Sequence, residues 1–228
     1  FISTAEVIVL LGATPIFVDI EPNTCNIDTA LIEEKINEHT KAIMPVSLYG
    51  QPADFDEINA IAARHGNIPV IEDAAQSFGS IYKGQKSCNL SSLGCTSFFP
   101  SKPLGCYGDG GAIFTNDDFL ASVCREIRIH GQSERYVHTR LGLGARMDTI
   151  QCAVLLAKLE AFNWEIEQRM HFGKRYNDML DDLSFDRVEQ KADRTSVFAQ
   201  YTIFSKERDI LKAKLESFGV PTDISAAW

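Results

Sequence analysis

The feature that most constrains this chain is a set of short, near-continuous apolar runs, the first of which alternate with stretches of helical period. Such runs stand at Ala42 to Val46, at Ile68 to Ile71 and at Thr96 to Phe99. Runs without polar alternation are strands buried on both faces, and their alternation with helices points to an α/β chain with a mostly parallel sheet. The second run ends in Glu72-Asp73-Ala74-Ala75-Gln76, an acid at the carboxyl end of a strand. Open α/β sheets place their ligand chemistry there. The third run breaks at Pro100, because proline cannot continue a ladder. It leaves Lys102 on a turn before Pro103, 29 residues after Asp73.

The remaining elements follow from periodicity and breakers. Ser3 to Leu11 reads as a helix with a serine N-cap and Gly12 behind it. Thr14 to Val18 reads as a short strand, Asp28 to about Asn37 as a capped helix, and Leu48-Tyr49-Gly50 as a continuation of the first run. Asp54 caps a helix to Arg64, and Tyr82 to Leu93 reads as polar surface. A strand over Gly111 to Thr115 and a helix from Asp117 or Asp118 to Ile129 follow. Gly131 to Gly144 lacks an apolar period and reads as a loop rich in His, Arg and Tyr. A long helix spans Asp148 to Leu180, with a kink expected at Gly173. Val197 to Phe204 alternates like a half-exposed strand, and Glu207 to Phe218 reads as a helix closed by Gly219. The implied division is 1–150 for a large domain, 151–182 for a connecting helix and 183–228 for the start of a small α+β domain.

The formal net charge of −9 argues against a nucleic-acid groove or an anionic membrane surface. No apolar run approaches the roughly 20 residues of a membrane span. The six cysteines form no C-x-x-C pair and no zinc spacing, so no metal is expected; they read as reduced thiols of a cytoplasmic protein. Gly105, Gly108 and Gly110 raise the alternative of a dinucleotide turn, but that motif needs a helix directly after it, and an apolar strand follows Gly111.

From Val70 to Asn116, the E-D-A-A-Q block, the S-F-x-x-x-K block and the G-D-G-G-A-I block together resemble the DegT/DnrJ-type nucleotide-sugar aminotransferases. These have the pyridoxal-phosphate (PLP) fold type I, an α/β large domain with a small α+β domain. The likeness is greatest to the branch acting on UDP-linked 3-keto-hexuronates of bacterial surface polysaccharides such as O-antigen. It implies a piece of a longer chain, and a phosphate-binding turn upstream of Phe1.

The resemblance implies a role for each site residue. Lys102 forms the Schiff base with PLP and moves protons. Asp73 faces the pyridine nitrogen, and Gln76 reaches the ring hydroxyl oxygen. Ser97 bonds the phosphate, Ala75 lets the ring lie flat, and Phe1 stacks on it. Glu72 points to the other side of its strand and is structural. Tyr49 and His130 approach the substrate, and Arg146 either serves at the dimer-shared site or caps the start of the next helix. Gly144 stands where the family has an Asn that reaches a neighbouring subunit's phosphate, and Ser47 where it often has His. The implied activity is ping-pong transamination between glutamate and a UDP-keto-sugar, in a cytoplasmic homodimer. Two alternatives are an inactive truncated homologue and a related sugar dehydratase. The dehydratase carries His at the lysine position, against which Lys102 argues.

Overall fold

A computed structural model describes residues 1–181, 183 and 185–224. The boundary expected near Ser184 and the stretch Ser225 to Trp228 lie outside the described residues.

The chain opens with helix α1 (Ser3–Leu10). Its N-cap is Ile2, without a side-chain bond, so Ser3 is inside the helix rather than capping it. Gly12 closes the helix as expected, at φ 74° with its N–H on the Val9 carbonyl. Residues 14–18 pair with no described strand, and Ile16 and Phe17 are exposed; the expected strand is absent there. The expected helix after Asp28 is also not one α-helix. Asp28 accepts from the Ala30 N–H, but only two 3-10 turns follow, Thr29–Leu31 and Glu33–Lys35, before Ile36 turns extended.

The first apolar run lies beside the second. Ile43 bridges Val70 and Val46 bridges Asp73, both parallel. Pro45 has no N–H, yet its carbonyl accepts from Asp73, so the ladder survives the proline. The run ends at Ser47 in a 3-10 turn, Leu48–Gly50, instead of continuing as a strand. Tyr49 there takes φ 58°, a left-handed conformation that side chains seldom adopt.

Helix α2 (Phe55–Arg64) buries Phe55, Ile58, Ile61 and Ala62. Burial of Phe55 or Ile58 contributes about 1.5–3 kcal/mol each. Strand β1 (Ile71–Asp73) follows, then a small hairpin of β2 (Ile81–Tyr82) and β3 (Gln85–Lys86). The 82–93 segment is not simply surface, since Tyr82, Ser87, Cys88 and Leu90 are buried. Strand β4 (Leu93–Ser97) pairs parallel with β1, and β5 (Gly111–Phe114) pairs antiparallel with β4. The sheet therefore runs 43–47, β1, β4, β5.

Helix α3 (Asp118–Ile127) is capped by Asp117, which accepts from the Leu120 N–H. The expected loop after it is a hairpin, β6 (Gln132–Glu134) and β7 (Val137–His138), with Tyr136 left-handed at φ 65° in its turn. The expected long helix is two, α4 (Thr149–Leu159) and α5 (Phe162–Asp181). The break falls at residues 160–161; Gly173 lies inside a continuous α5, where the Phe198 ring fills the place of its missing side chain. The 197–204 segment forms no strand beyond an Arg187–Ile203 bridge, and α6 (Arg208–Ser217) is the last helix.

One core cluster joins Ile32, Ile43, Phe55, Ile58, Val70, Tyr82 and Leu90. Another joins Phe98, Leu104, Cys106, Leu155 and Phe162. The six cysteines are free thiols. Among the described residues no helix is long and apolar enough to cross a membrane, and no group of His, Cys, Asp and Glu is placed to hold a metal.

Candidate active site

Parallel pairing brings three strand ends to one edge of the sheet. The register Val46 to Asp73, and Asp73 to Cys95, sets Tyr49, Asp73 to Gln76, and Ser97 to Lys102 just past neighbouring carboxyl ends. Side chains alternate along a strand, so Asp73, Cys95 and Ser97 share one face and Glu72 takes the other.

Glu72 is fully buried and accepts from the Ser87 hydroxyl (2.6 Å) and the Cys88 N–H (2.9 Å). Burial raises its carboxyl above the usual range, against the pull of those donors. With its oxygens engaged by this segment, Glu72 ties residues 87–90 to β1.

Asp73 is half-buried and takes one donor on each oxygen. Oδ1 accepts from the Ala75 N–H (3.0 Å) and Oδ2 from the Thr4 hydroxyl (2.6 Å). Sequence reasoning missed Thr4. The only signal was its place one helical turn after Phe1, which was expected over the ring. Cys95, beside Asp73, is no nucleophile at neutral pH: burial and then the Asp73 charge push its thiol up to about 11.

Gln76 is oriented by the backbone. Its Oε1 accepts from the Tyr49 N–H at 2.6 Å. Because that N–H only donates, the amide oxygen must face it and the NH2 faces away, free to donate. Tyr49 is buried, and its left-handed turn aims this N–H; its carbonyl accepts from Gln200.

Lys102 is half-buried on a tight turn. Its N–H donates to the Phe99 carbonyl, and the Cys106 N–H and thiol donate to the Phe98 carbonyl. A Cβ on Gly105 would stand 2.5 Å from the Pro100 carbonyl oxygen, so this close return needs glycine. Helix α4 braces the turn from behind: Lys158 Nζ donates to the Gly105 carbonyl (2.6 Å) and Gln151 accepts from the Tyr107 N–H. Ser97 Oγ accepts from the Phe99 N–H.

The other candidates sit farther out. Ala75 is half-buried in the turn after Asp73. Phe1 is 91% exposed, one turn before Thr4. His130 is exposed and left-handed (φ 64°), and its ring lies against Gly144, where a Cβ would come within 3.0 Å of it. An asparagine at 144 would need that ring to move. Arg146 is exposed, and Asp148 is the N-cap residue of α4.

The assembled groups are an amine on a braced turn, a carboxylate held by two donors, an amide presenting its NH2, and a hydroxyl. That set suits a planar ring carrying a carbonyl, an ionised oxygen and a protonated ring nitrogen.

Comparison with known proteins gives a consistent picture. The model of the DegT/DnrJ/EryC1/StrS aminotransferase family matches residues 1–227. A UDP-2-acetamido-2-deoxy-3-oxo-D-glucuronate aminotransferase of Pseudomonas aeruginosa is 55% identical over 224 residues, covering 98% of this chain and 62% of that protein. The crystal structure of a DegT DnrJ EryC1 StrS aminotransferase from Brucella abortus matches with a TM-score of 0.90 at 44% identity, over 97% of this chain and 61% of that one. NtdA from Bacillus subtilis, solved with bound cofactor PMP, matches with a TM-score of 0.88 at 31% identity, over 98% and 52%. The chain thus spans less than two thirds of the length of these relatives. The expected fold type I α/β architecture is the fold it shares with them.

Proposed function

The chain belongs to the DegT/DnrJ/EryC1/StrS aminotransferase family, and from that premise we propose that the protein it is part of is a PLP-dependent aminotransferase of a UDP-linked 3-keto-hexuronate. The observation that carries this reading is the convergence of Lys102, Asp73 and Gln76 at adjacent parallel strand ends, each side chain or turn fixed by its own hydrogen bonds. The 55% identity to the Pseudomonas aeruginosa enzyme supports the choice of sugar.

When bound, PLP supplies the electron-withdrawing ring that makes an amino group transferable. The residues do the rest. Lys102 Nζ would hold the cofactor and would serve as the base that takes the proton from the α-carbon of the amino donor. Asp73 would accept from the ring nitrogen and favour its protonated form. Gln76 would donate its NH2 to the ring oxygen. Ser97 would hold the phosphate, Phe1 would cover the ring and Ala75 would leave it room. Tyr49, His130 and Arg146 face the substrates.

The proposed amino donor is glutamate, and the setting is cytoplasmic synthesis of surface polysaccharide such as O-antigen, by a homodimer that shares its sites. Residues 183–228 are proposed as the beginning of the small domain.

The test uses the full-length protein with PLP, 15N-labelled glutamate and the UDP-3-keto-hexuronate. Label is expected in the sugar product. Transfer to no nucleotide keto-sugar, with PLP bound, refutes the activity.

A further inference from the structure

Asp73 is met by a residue 69 positions earlier: Thr4 Oγ1 stands 2.6 Å from its Oδ2. A helical threonine often turns its hydroxyl back onto a carbonyl of the preceding turn. Thr4 instead reaches out of α1 to another segment. Both partners are half-buried, where a hydrogen bond to a charged group is screened less than at the surface.

The geometry has a chemical consequence. Each carboxylate oxygen has two lone pairs. Ala75 N–H takes one on Oδ1 and Thr4 takes one on Oδ2. The two bonds pin the carboxylate plane from opposite ends and leave each oxygen one acceptor site. The Ala75 contact is local and comes with the turn that follows β1. The Thr4 contact is the one that fixes the carboxylate against α1, the helix that begins beside Phe1.

We propose that Thr4 is a positioning residue of the cofactor site: it acts through Asp73, orienting the carboxylate that holds the ring-nitrogen proton. This rests on the PLP reading above.

The experiment compares full-length wild type, Thr4→Val, which keeps the shape and loses the donor, and Thr4→Ser, which keeps the donor. Two quantities are read: PLP affinity by titrating the apoprotein, and the pH dependence of the visible absorption of bound cofactor. Loss of one hydrogen bond to a charged acceptor predicts roughly tenfold weaker PLP binding in Thr4→Val, with Thr4→Ser within about twofold of wild type. The spectral titration midpoint moves in Thr4→Val and stays in Thr4→Ser. In an Asp73→Asn background the effect of Thr4→Val shrinks to a small remainder. Should valine not fit the fold, as read by melting of the apoprotein, Thr4→Ala replaces it with the same expectation. Wild-type affinity and titration in the valine or alanine variant overturn the proposal, as does an undiminished penalty in the Asp73→Asn background. Failure of the wild type to take up PLP removes the cofactor reading itself, and Thr4's role with it.

Discussion

Replacing Arg194 by alanine destabilises the fold by about 3 kcal/mol. Its side chain is almost fully buried, and its guanidinium is engaged on every side. Nη2 bonds Asp54 Oδ1 at 2.5 Å, Nη1 bonds the Pro52 carbonyl at 2.9 Å, and Nε bonds Asp193 at 2.7 Å. The plane sits 4.5 Å from the Tyr82 ring centroid. Truncating one partner of a buried ion pair costs about 3–5 kcal/mol, because the other charge stays buried. The low end applies, since Lys191 still reaches Asp54 at 2.6 Å and Asp193 is partly exposed. The Tyr82 contact adds about 0.5–2 kcal/mol, offset in part by relaxation into the space left. The assay is urea denaturation of the full-length apoprotein, followed by circular dichroism, with the midpoint and slope compared to wild type. A loss below about 0.5 kcal/mol, the range of ordinary surface substitutions, refutes the reasoning. The clamp also matters for the site, because it anchors the 190s segment to the 49–54 turn, whose Tyr49 N–H orients Gln76.

Two further outcomes follow from particular contacts. Gln76→Glu keeps an oxygen for the Tyr49 N–H but replaces the free NH2 by a second acceptor, so PLP binds roughly tenfold more weakly or worse while apoprotein melting changes little; equal affinity removes Gln76 from the ring oxygen. Asp54 is raised by burial but lowered more by Lys191 and Arg194, so its folded carboxyl lies below the usual value. The unfolded chain then binds the extra proton, and Asp54's contribution is complete above the unfolded value of about 3.9 and disappears as pH falls through the folded value. Asp54→Asn should flatten the acid end of the stability–pH curve, as read by denaturation at stepped pH; an unchanged acid limb contradicts the assignment.

What the sequence made legible was local. The apolar runs, the acid closing the second and the lysine turn broken by Pro100 all follow from short-range rules, and the structure places them at adjacent strand ends as the parallel reading requires. What it hid was long-range. Asp54 looked like a helix cap; its carboxylate is drawn instead to Arg194 and Lys191, some 140 residues on. Thr4 looked like part of a helix start, and no period links it to Asp73. The hairpin at 132–138 was read as a loop because Arg135-Tyr136 carries none of the glycine or asparagine signals of a two-residue turn, although Tyr136 still adopts the left-handed conformation. Gly173 suggested a kink, but its reason is tertiary: the Phe198 ring packs where a side chain would stand.

Lys102 is the proposed attachment point of the cofactor, and a direct chemical test is at hand. Full-length protein is incubated with PLP, reduced with borohydride, digested and mapped by mass spectrometry. The cofactor-derived mass is expected on the peptide containing Lys102, with loss of both the adduct and the visible absorption band in Lys102→Ala. A stable adduct on another lysine in the wild type, or an undiminished adduct and band in Lys102→Ala, would contradict it.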